Sequence, residues 1–138
     1  MRLLGVTPQG ASVQFEADAQ PVDGTSASPW KIGIGGAAAK SAVAVAGAAT
    51  LNKESGSITT ESLTTAAGAN YTLTLTSSRS VVGDLVMASV SNGTNTGGDP
   101  GILSITATAG QIVIKVRNHH ASTAFNGTLV INFLAFRI

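Results

Sequence analysis

The fold is decided by residues 70–76, which read Asn70-Tyr71-Thr72-Leu73-Thr74-Leu75-Thr76. Successive side chains of a β-strand point to opposite faces, so this alternation places Tyr71, Leu73 and Leu75 on one face and the threonines on the other. In an antiparallel sheet one face commonly packs on the core while the other meets water. The stretch therefore predicts a strand of an antiparallel sheet.

Further candidate strands follow toward the carboxyl end. Residues 81–90 alternate, and in residues 102–107 we expect Leu103 and Ile105 to face inward. A tight connection at 108–110 leads to residues 111–117 and predicts a hairpin. Short strands with turn signals about every ten residues indicate an all-β fold, an antiparallel β-sandwich or jelly roll.

The last candidate strand, residues 128–136, is apolar on both sides. Its first face carries Leu129, Ile131, Phe133 and Ala135. The opposite face carries Val130, Leu134 and Phe136. A strand that is apolar on both faces is either central to a sandwich or part of an interface. We interpret the second face as a candidate interface, with ordinary core as the alternative.

The composition changes near residue 49. Residues 1–48 are rich in Gly, Ala and Pro, and they hold the single tryptophan and all but one of the four prolines. We interpret residues 1–48 as an extended N-terminal arm that orders against a partner, and residues 49–138 as the β-sandwich module. The arm's apolar side chains complete the candidate interface: Trp30, Ile32, Ile34, Val43 and Val45.

Charged residues make up only 11% of the chain, aromatics 4%, and the mean hydropathy is +0.30. Such a low charge suggests a surface covered by a partner or by further copies, although many small Ala, Val and Thr residues also raise hydropathy. The net charge of +1 gives no electrostatic footprint for nucleic acid or an anionic membrane. No apolar run approaches the ~18 residues of a membrane span, and no secretion signal is recognised, so we expect a soluble protein made in the cytoplasm.

No residue pattern predicts a catalytic, metal or cofactor site. His119 and His120 are adjacent, so on a strand they point to opposite faces and do not readily share one metal ion. Residues 33–41 loosely match nucleotide-binding glycine motifs but lack their strand and helix context. Residues 91–101 are rich in oxygen ligands, yet Asp99 is their only carboxylate, which favours a flexible loop over a calcium site. We expect the protein not to be an enzyme.

Two stretches resemble a known group of proteins. Residues 51–68, followed by Tyr71-Thr72-Leu73-Thr74-Leu75, are similar to small structural proteins of tailed bacteriophages. So are Val116-Arg117-Asn118-His119-His120-Ala121 and the following Phe125-Asn126-Gly127-Thr128-Leu129. The resemblance covers roughly residues 50–136, and it is to the capsid cement, or decoration, proteins.

This resemblance implies a small β-sandwich or jelly roll that binds the outside of a phage capsid. The implied partners are the major capsid protein and further copies of the chain, as a dimer or trimer, on a virion assembled in a bacterial host. The implied function is stabilisation of the shell against internal DNA pressure. The alternative is a tail-fibre or adhesin-type module that recognises a surface glycan, for which Trp30 and Tyr71 are the only large amphipathic rings.

Overall fold

The computed structural model of the protein describes residues 40–138. Within this range the chain forms eight β-strands and no helix. The strands in chain order are β1 (Ser41–Val43), β2 (Ala48–Thr50), β3 (Ser55–Thr59), β4 (Asn70–Thr76), β5 (Leu85–Asn92), β6 (Pro100–Thr108), β7 (Gln111–Asn118) and β8 (Leu129–Phe136). No helix among these residues is long and apolar enough to cross a membrane.

The strands form two sheets of four that pack as a β-sandwich, which confirms the predicted fold class. Sheet A has the order β1-β3-β8-β5, and sheet B has the order β2-β4-β7-β6. Consecutive strands alternate between the sheets, except for β6 and β7, which form the predicted hairpin. The nested pairing of β3 with β8 and of β4 with β7 gives a wrapped connectivity of the jelly-roll type.

Most strand pairs are antiparallel, but β1 with β3 and β2 with β4 are parallel. The connectivity explains both exceptions. The chain passes from β1 in sheet A to β2 in sheet B, returns to sheet A as β3 and goes back to sheet B as β4. Each return to a sheet here follows one passage through the other sheet, so β1 and β3 run in the same direction, and so do β2 and β4. These parallel pairs lie at the sheet edges where the N-terminal part of the sandwich begins.

The core lies between the sheets and follows the predicted alternation. Tyr71, Leu73 and Leu75 of β4 are buried. Opposite them on β7, the buried side chains are Ile112, Ile114 and Val116; sheet A contributes Ile58, Leu129, Ile131 and Phe133. Each large aliphatic side chain buried in this way stabilises the fold by about 1.5–3 kcal/mol.

One facing prediction is wrong, because β6 contains a β-bulge. Its register with β7 shifts between Ile102 and Ser104, so the intervening residue has no partner in the ladder. The extra residue changes the phase of the alternation. As a result Leu103 is 45% exposed instead of facing inward, while Ile102 and Ile105 pack against the core.

The sandwich also begins earlier than the boundary predicted after residue 48. Strand β1 already pairs with β3 from Ser41 onward. Its pairing was hidden in the sequence because alanines around it give a weak strand signal. Residues 1–39, which include Trp30, Ile32 and Ile34, lie outside the described residues.

Candidate interaction surface

Four of the predicted interface residues lie on one face of the sandwich. Paired residues of neighbouring strands share a face, and the pairings connect Val43 to Thr59, Thr59 to Val130, and Val130 to Ser91. Val130 alternates with the buried Leu129 and Ile131, so this row points away from the core. Leu134 and Phe136 follow on the same side of β8. We call this side of sheet A the outer face.

The paired residues of the outer face carry no charge. They are serines, threonine, asparagine and apolar side chains: Ser41, Val43, Ser55, Ser57, Thr59, Leu85, Met87, Ser89, Ser91, Val130, Asn132, Leu134 and Phe136. A partner that covers this face therefore does not have to desolvate a charged side chain on it.

The large apolar side chains gather at one end of the outer face. Leu85 pairs with Phe136, and Met87 pairs with Leu134. Leu85 is 51% exposed, Met87 60% and Phe136 40%, while Leu134 is half-buried. We call these four residues the apolar patch. An open depression of about 300 Å³ adjoins it, with Met87, Ser89, Asn132 and Leu134 among its lining residues.

Two members of the patch, Leu85 and Met87, were not among the predicted interface residues. The alternation in β5 does separate them from Val86, Ala88 and Val90, which pack against the core. The sequence left open which of the two faces is covered, because both carry apolar side chains. The pairing with β8 shows which face of β5 is covered, because the buried residues of β8 define the inward side of both strands.

The two N-terminal candidates within the described range are both exposed. Val43 is 67% exposed at the far end of the outer face from the apolar patch. Val45 is 73% exposed and lies beyond β1, in the turn that leads to β2. The structure thus brings Val43, Val130, Leu134 and Phe136 onto one face and leaves Val45 at its margin.

The opposite side of the sandwich has a different chemistry. The outward residues of β4 are Thr72, Thr74 and Thr76, and their neighbours on β7 include Lys115 and Arg117. This surface of sheet B is polar and partly basic, as expected for a solvated face. The two outer surfaces of the sandwich are therefore distinct, and only that of sheet A combines large apolar side chains with an absence of charge.

Ion pairs border the end of sheet A that carries the patch. The Arg137 guanidinium lies 3.9 Å from the carboxylate of Asp84, whose side chain is 4% exposed, and it also donates a 3.2 Å hydrogen bond to the carbonyl of Arg79. Arg79 lies 3.8 Å from the carboxylate of Glu54. The contacts of Arg137 connect the residue after β8 to the β4–β5 loop, and the pair with Glu54 connects that loop to the residue before β3.

The loops at the other end of the sandwich are held by the side chains of asparagines. Asn118 is fully buried. Its side-chain oxygen Oδ1 accepts hydrogen bonds from the backbone N–H groups of Asp99 and His120, and its side-chain Nδ2 donates to the carbonyls of Thr65 and Thr123. Asn126 accepts hydrogen bonds from the backbone N–H groups of residues 96 and 97. Residues 91–101 were expected to form a flexible loop. Residues 91–92 and 100–101 instead belong to β5 and β6, and the loop between them, residues 93–99, is fixed by hydrogen bonds.

The residues considered for metal binding do not form a site in the described range. No three His, Cys, Asp or Glu side chains of residues 40–138 are grouped so that they could hold a metal ion. His120 instead accepts backbone hydrogen bonds through Nδ1, from Ser122 at 3.1 Å and Thr123 at 2.8 Å. This ring therefore caps the turn after β7.

Glu61 links the start of the sandwich to its core. One carboxylate oxygen accepts a 2.9 Å hydrogen bond from the Gly47 N–H, and the other accepts a 3.0 Å bond from the Tyr71 hydroxyl. Burial, together with the hydrogen bond to Glu61 and its negative charge, raises the pKa of Tyr71 well above its usual value. The ring is therefore fixed in the core in its neutral form.

Comparisons of the chain with models of protein families, with curated protein sequences and with solved structures found no match.

Proposed function

We propose that the protein is a structural component of a phage particle that binds the outside of the capsid and stabilises the shell. The observation that supports this proposal most directly is the uncharged outer face with its exposed Leu85, Met87 and Phe136. Exposed contiguous apolar surface on a folded protein commonly marks a site of protein–protein contact. The resemblance of residues 50–136 to capsid cement proteins implies that the partner is the major capsid protein.

The size of the patch agrees with a cementing role. Each patch side chain is already half-covered by its neighbours, so its complete burial contributes about 1 kcal/mol, and the four together contribute a few kcal/mol. That is a modest free energy for a single contact. A capsid, however, presents the same contact many times, and connected copies gain affinity through effective concentration. In this proposal the protein acts on the virion surface, as an oligomer.

The test is co-sedimentation of the full-length protein with capsids that lack it, prepared from the phage that encodes the chain. Phe136→Asp places a charge in the apolar patch, and we expect it to weaken capsid binding about tenfold or more. Thr72→Asp is the matched control on the exposed outer surface of sheet B, and it should bind as the native chain does. Equal binding by both variants, or no binding by the native chain, would contradict the proposal.

Recognition of a glycan has only one candidate aromatic residue in the described range. Tyr71, Phe125 and Phe133 are buried, and the hydroxyl of Tyr71 is bonded to Glu61. Phe136 is 40% exposed, but it pairs with Leu85 in the apolar patch and its ring carries no polar group. Sugar stacking needs an exposed ring face. If the native chain bound glycans on an array and Trp30→Ala abolished that binding, glycan recognition would be favoured over capsid binding.

A further inference from the structure

The described part of the sandwich has two long sheet edges. β5 ends sheet A with eight residues and β6 ends sheet B with nine, whereas the opposite edges, β1 and β2, have three residues each. A long edge strand offers a row of unpaired N–H and C=O groups to another chain. Natural proteins usually protect such an edge with proline, a bulge or a charged side chain.

Only one of the two long edges has this protection. β6 begins with Pro100, which has no N–H, and its bulge leaves Leu103 outside the ladder. β5 reads LVMASVSN, without proline, glycine or charge, and its register with β8 is unbroken from Leu85 to Asn92. The contrast identifies β5 as the edge that is able to accept a further strand.

The backbone pattern shows which groups of β5 point to the open side. Just beyond the strand, the Gly93 N–H donates to the carbonyl of Thr128, in the direction of β8. In an antiparallel pair this direction alternates from one residue to the next. The N–H and C=O groups of Val86, Ala88 and Val90 therefore point away from β8, to the side where sheet A has no further strand among residues 40–138.

We infer that β5 pairs with β5 of a second copy, antiparallel, about a two-fold axis at Ala88. In this register Ala88 is opposite Ala88 of the second copy, and Val86 is opposite Val90. The outward-pointing backbone groups of all three residues are then bonded in both copies. Because β5 carries no charge, no like charges meet across the axis of this self-complementary contact.

The same register extends the apolar patch. Leu85 and Met87 lie at the open edge of sheet A, and in the pair they are next to Ser91 and Ser89 of the second copy. The two outer faces join into the face of one eight-stranded sheet. Strand pairing alone buries less than the ~1,200 Å² of a standard interface, so the pair dissociates on dilution. The inference stands independently of capsid binding.

A disulfide trap tests the register. The native chain has no cysteine, so Met87→Cys combined with Ser89→Cys introduces the only thiols. In the proposed register, residue 87 of one copy and residue 89 of the other form a non-hydrogen-bonded pair. Their Cα atoms are then about 4.5 Å apart, a distance that a disulfide can span. We expect a covalent dimer on mild oxidation. The control, Thr106→Cys with Thr108→Cys on exposed positions of β6, should remain monomeric. No dimer in the first variant, or equal dimer in both, would overturn the inference.

Sedimentation over a range of concentrations tests the pairing itself. Ala88→Pro removes an N–H that β8 does not use, so we expect the sandwich to fold and the dimer to weaken about tenfold or more. If that variant does not fold, Met87→Lys on the exposed side of β5 takes its place in the test. We expect Met87→Lys to weaken the dimer and the control, Thr106→Lys on β6, to leave it unchanged. A native chain that stays monomeric, or pairing unchanged in these β5 variants, refutes the inference. A monomer that still binds capsids rejects only the pairing, and a dimer that does not bind them rejects only the proposed function.

Discussion

Tyr71 lies in the core of sheet B with its hydroxyl bonded to a carboxylate, and this has a measurable consequence at high pH. Burial, and then the bond to Glu61, raise its pKa above the usual value of about 10. Between the two pKa values the folded state retains a proton that the unfolded state has lost. The free energy of unfolding therefore falls as the pH rises above about 10, by about 1.4 kcal/mol per pH unit from this group.

The single tyrosine makes the effect easy to observe. Absorbance of tyrosinate should appear near pH 10 in denaturant, but in the folded protein only at a higher pH. In Tyr71→Phe the part of the alkaline destabilisation that comes from this group should be absent, as measured by urea unfolding at pH 8 and pH 11. Tyrosinate formation near pH 10 without unfolding would contradict the buried hydrogen bond.

At the scale of elements, the turn between β1 and β2 is held in a demanding conformation. Val45 and Ala48 exchange two backbone hydrogen bonds, and between them Ala46 and Gly47 have φ values of 50° and 75°. Two consecutive residues with positive φ define a type I′ turn, in which glycine and asparagine are preferred. A Cβ on Gly47 would also lie 2.7 Å from the carbonyl oxygen of Thr72.

We predict that Gly47→Ala lowers the free energy of unfolding by about 2–4 kcal/mol, because it adds this backbone clash to the strain of a positive φ. Gly110→Ala is the matched control: its φ is 78°, but no atom lies within 4 Å of its Cβ, so we expect a loss of only about 1 kcal/mol. Urea unfolding of both variants measures the difference. Equal losses would show that the contact with Thr72 carries no cost.

How far the sequence predicted each element depended on the regularity of its alternation. β4 and β7 alternate without interruption, so their buried and exposed faces follow directly from the residues. The bulge at Leu103 inserts one residue that the residue types do not predict. The inward facing expected for Leu103 was therefore wrong, while Ile105 does pack against the core. Gly56 lies inside β3 although glycine is uncommon in strands, and its missing side chain leaves room for Leu51 and the Lys40 carbonyl.

The candidate surface was predicted in part for a similar reason. Residues 130, 134 and 136 are apolar on the second side of β8, which was visible in the sequence as a strand with two apolar faces. The contribution of Leu85 and Met87 depends on which strand pairs with β8, and that long-range choice is set by the wrapped connectivity. A local pattern does not contain this information.

At the scale of the whole molecule, the sandwich has two unlike outer surfaces, one uncharged with an apolar patch and one rich in threonine with Lys115 and Arg117. A protein that cements a shell needs one surface for the shell and another for water. In the proposed function, the outer face of sheet A binds the capsid and the surface of sheet B meets solvent.

Electron microscopy of capsids incubated with the full-length protein tests this assignment most directly. The account predicts added density on the outside of the shell at repeated positions, into which the sandwich fits with β5 and β8 nearest to the capsid protein. Capsids without added density at saturating protein, or a sandwich attached through the threonine-rich surface of sheet B, would contradict it.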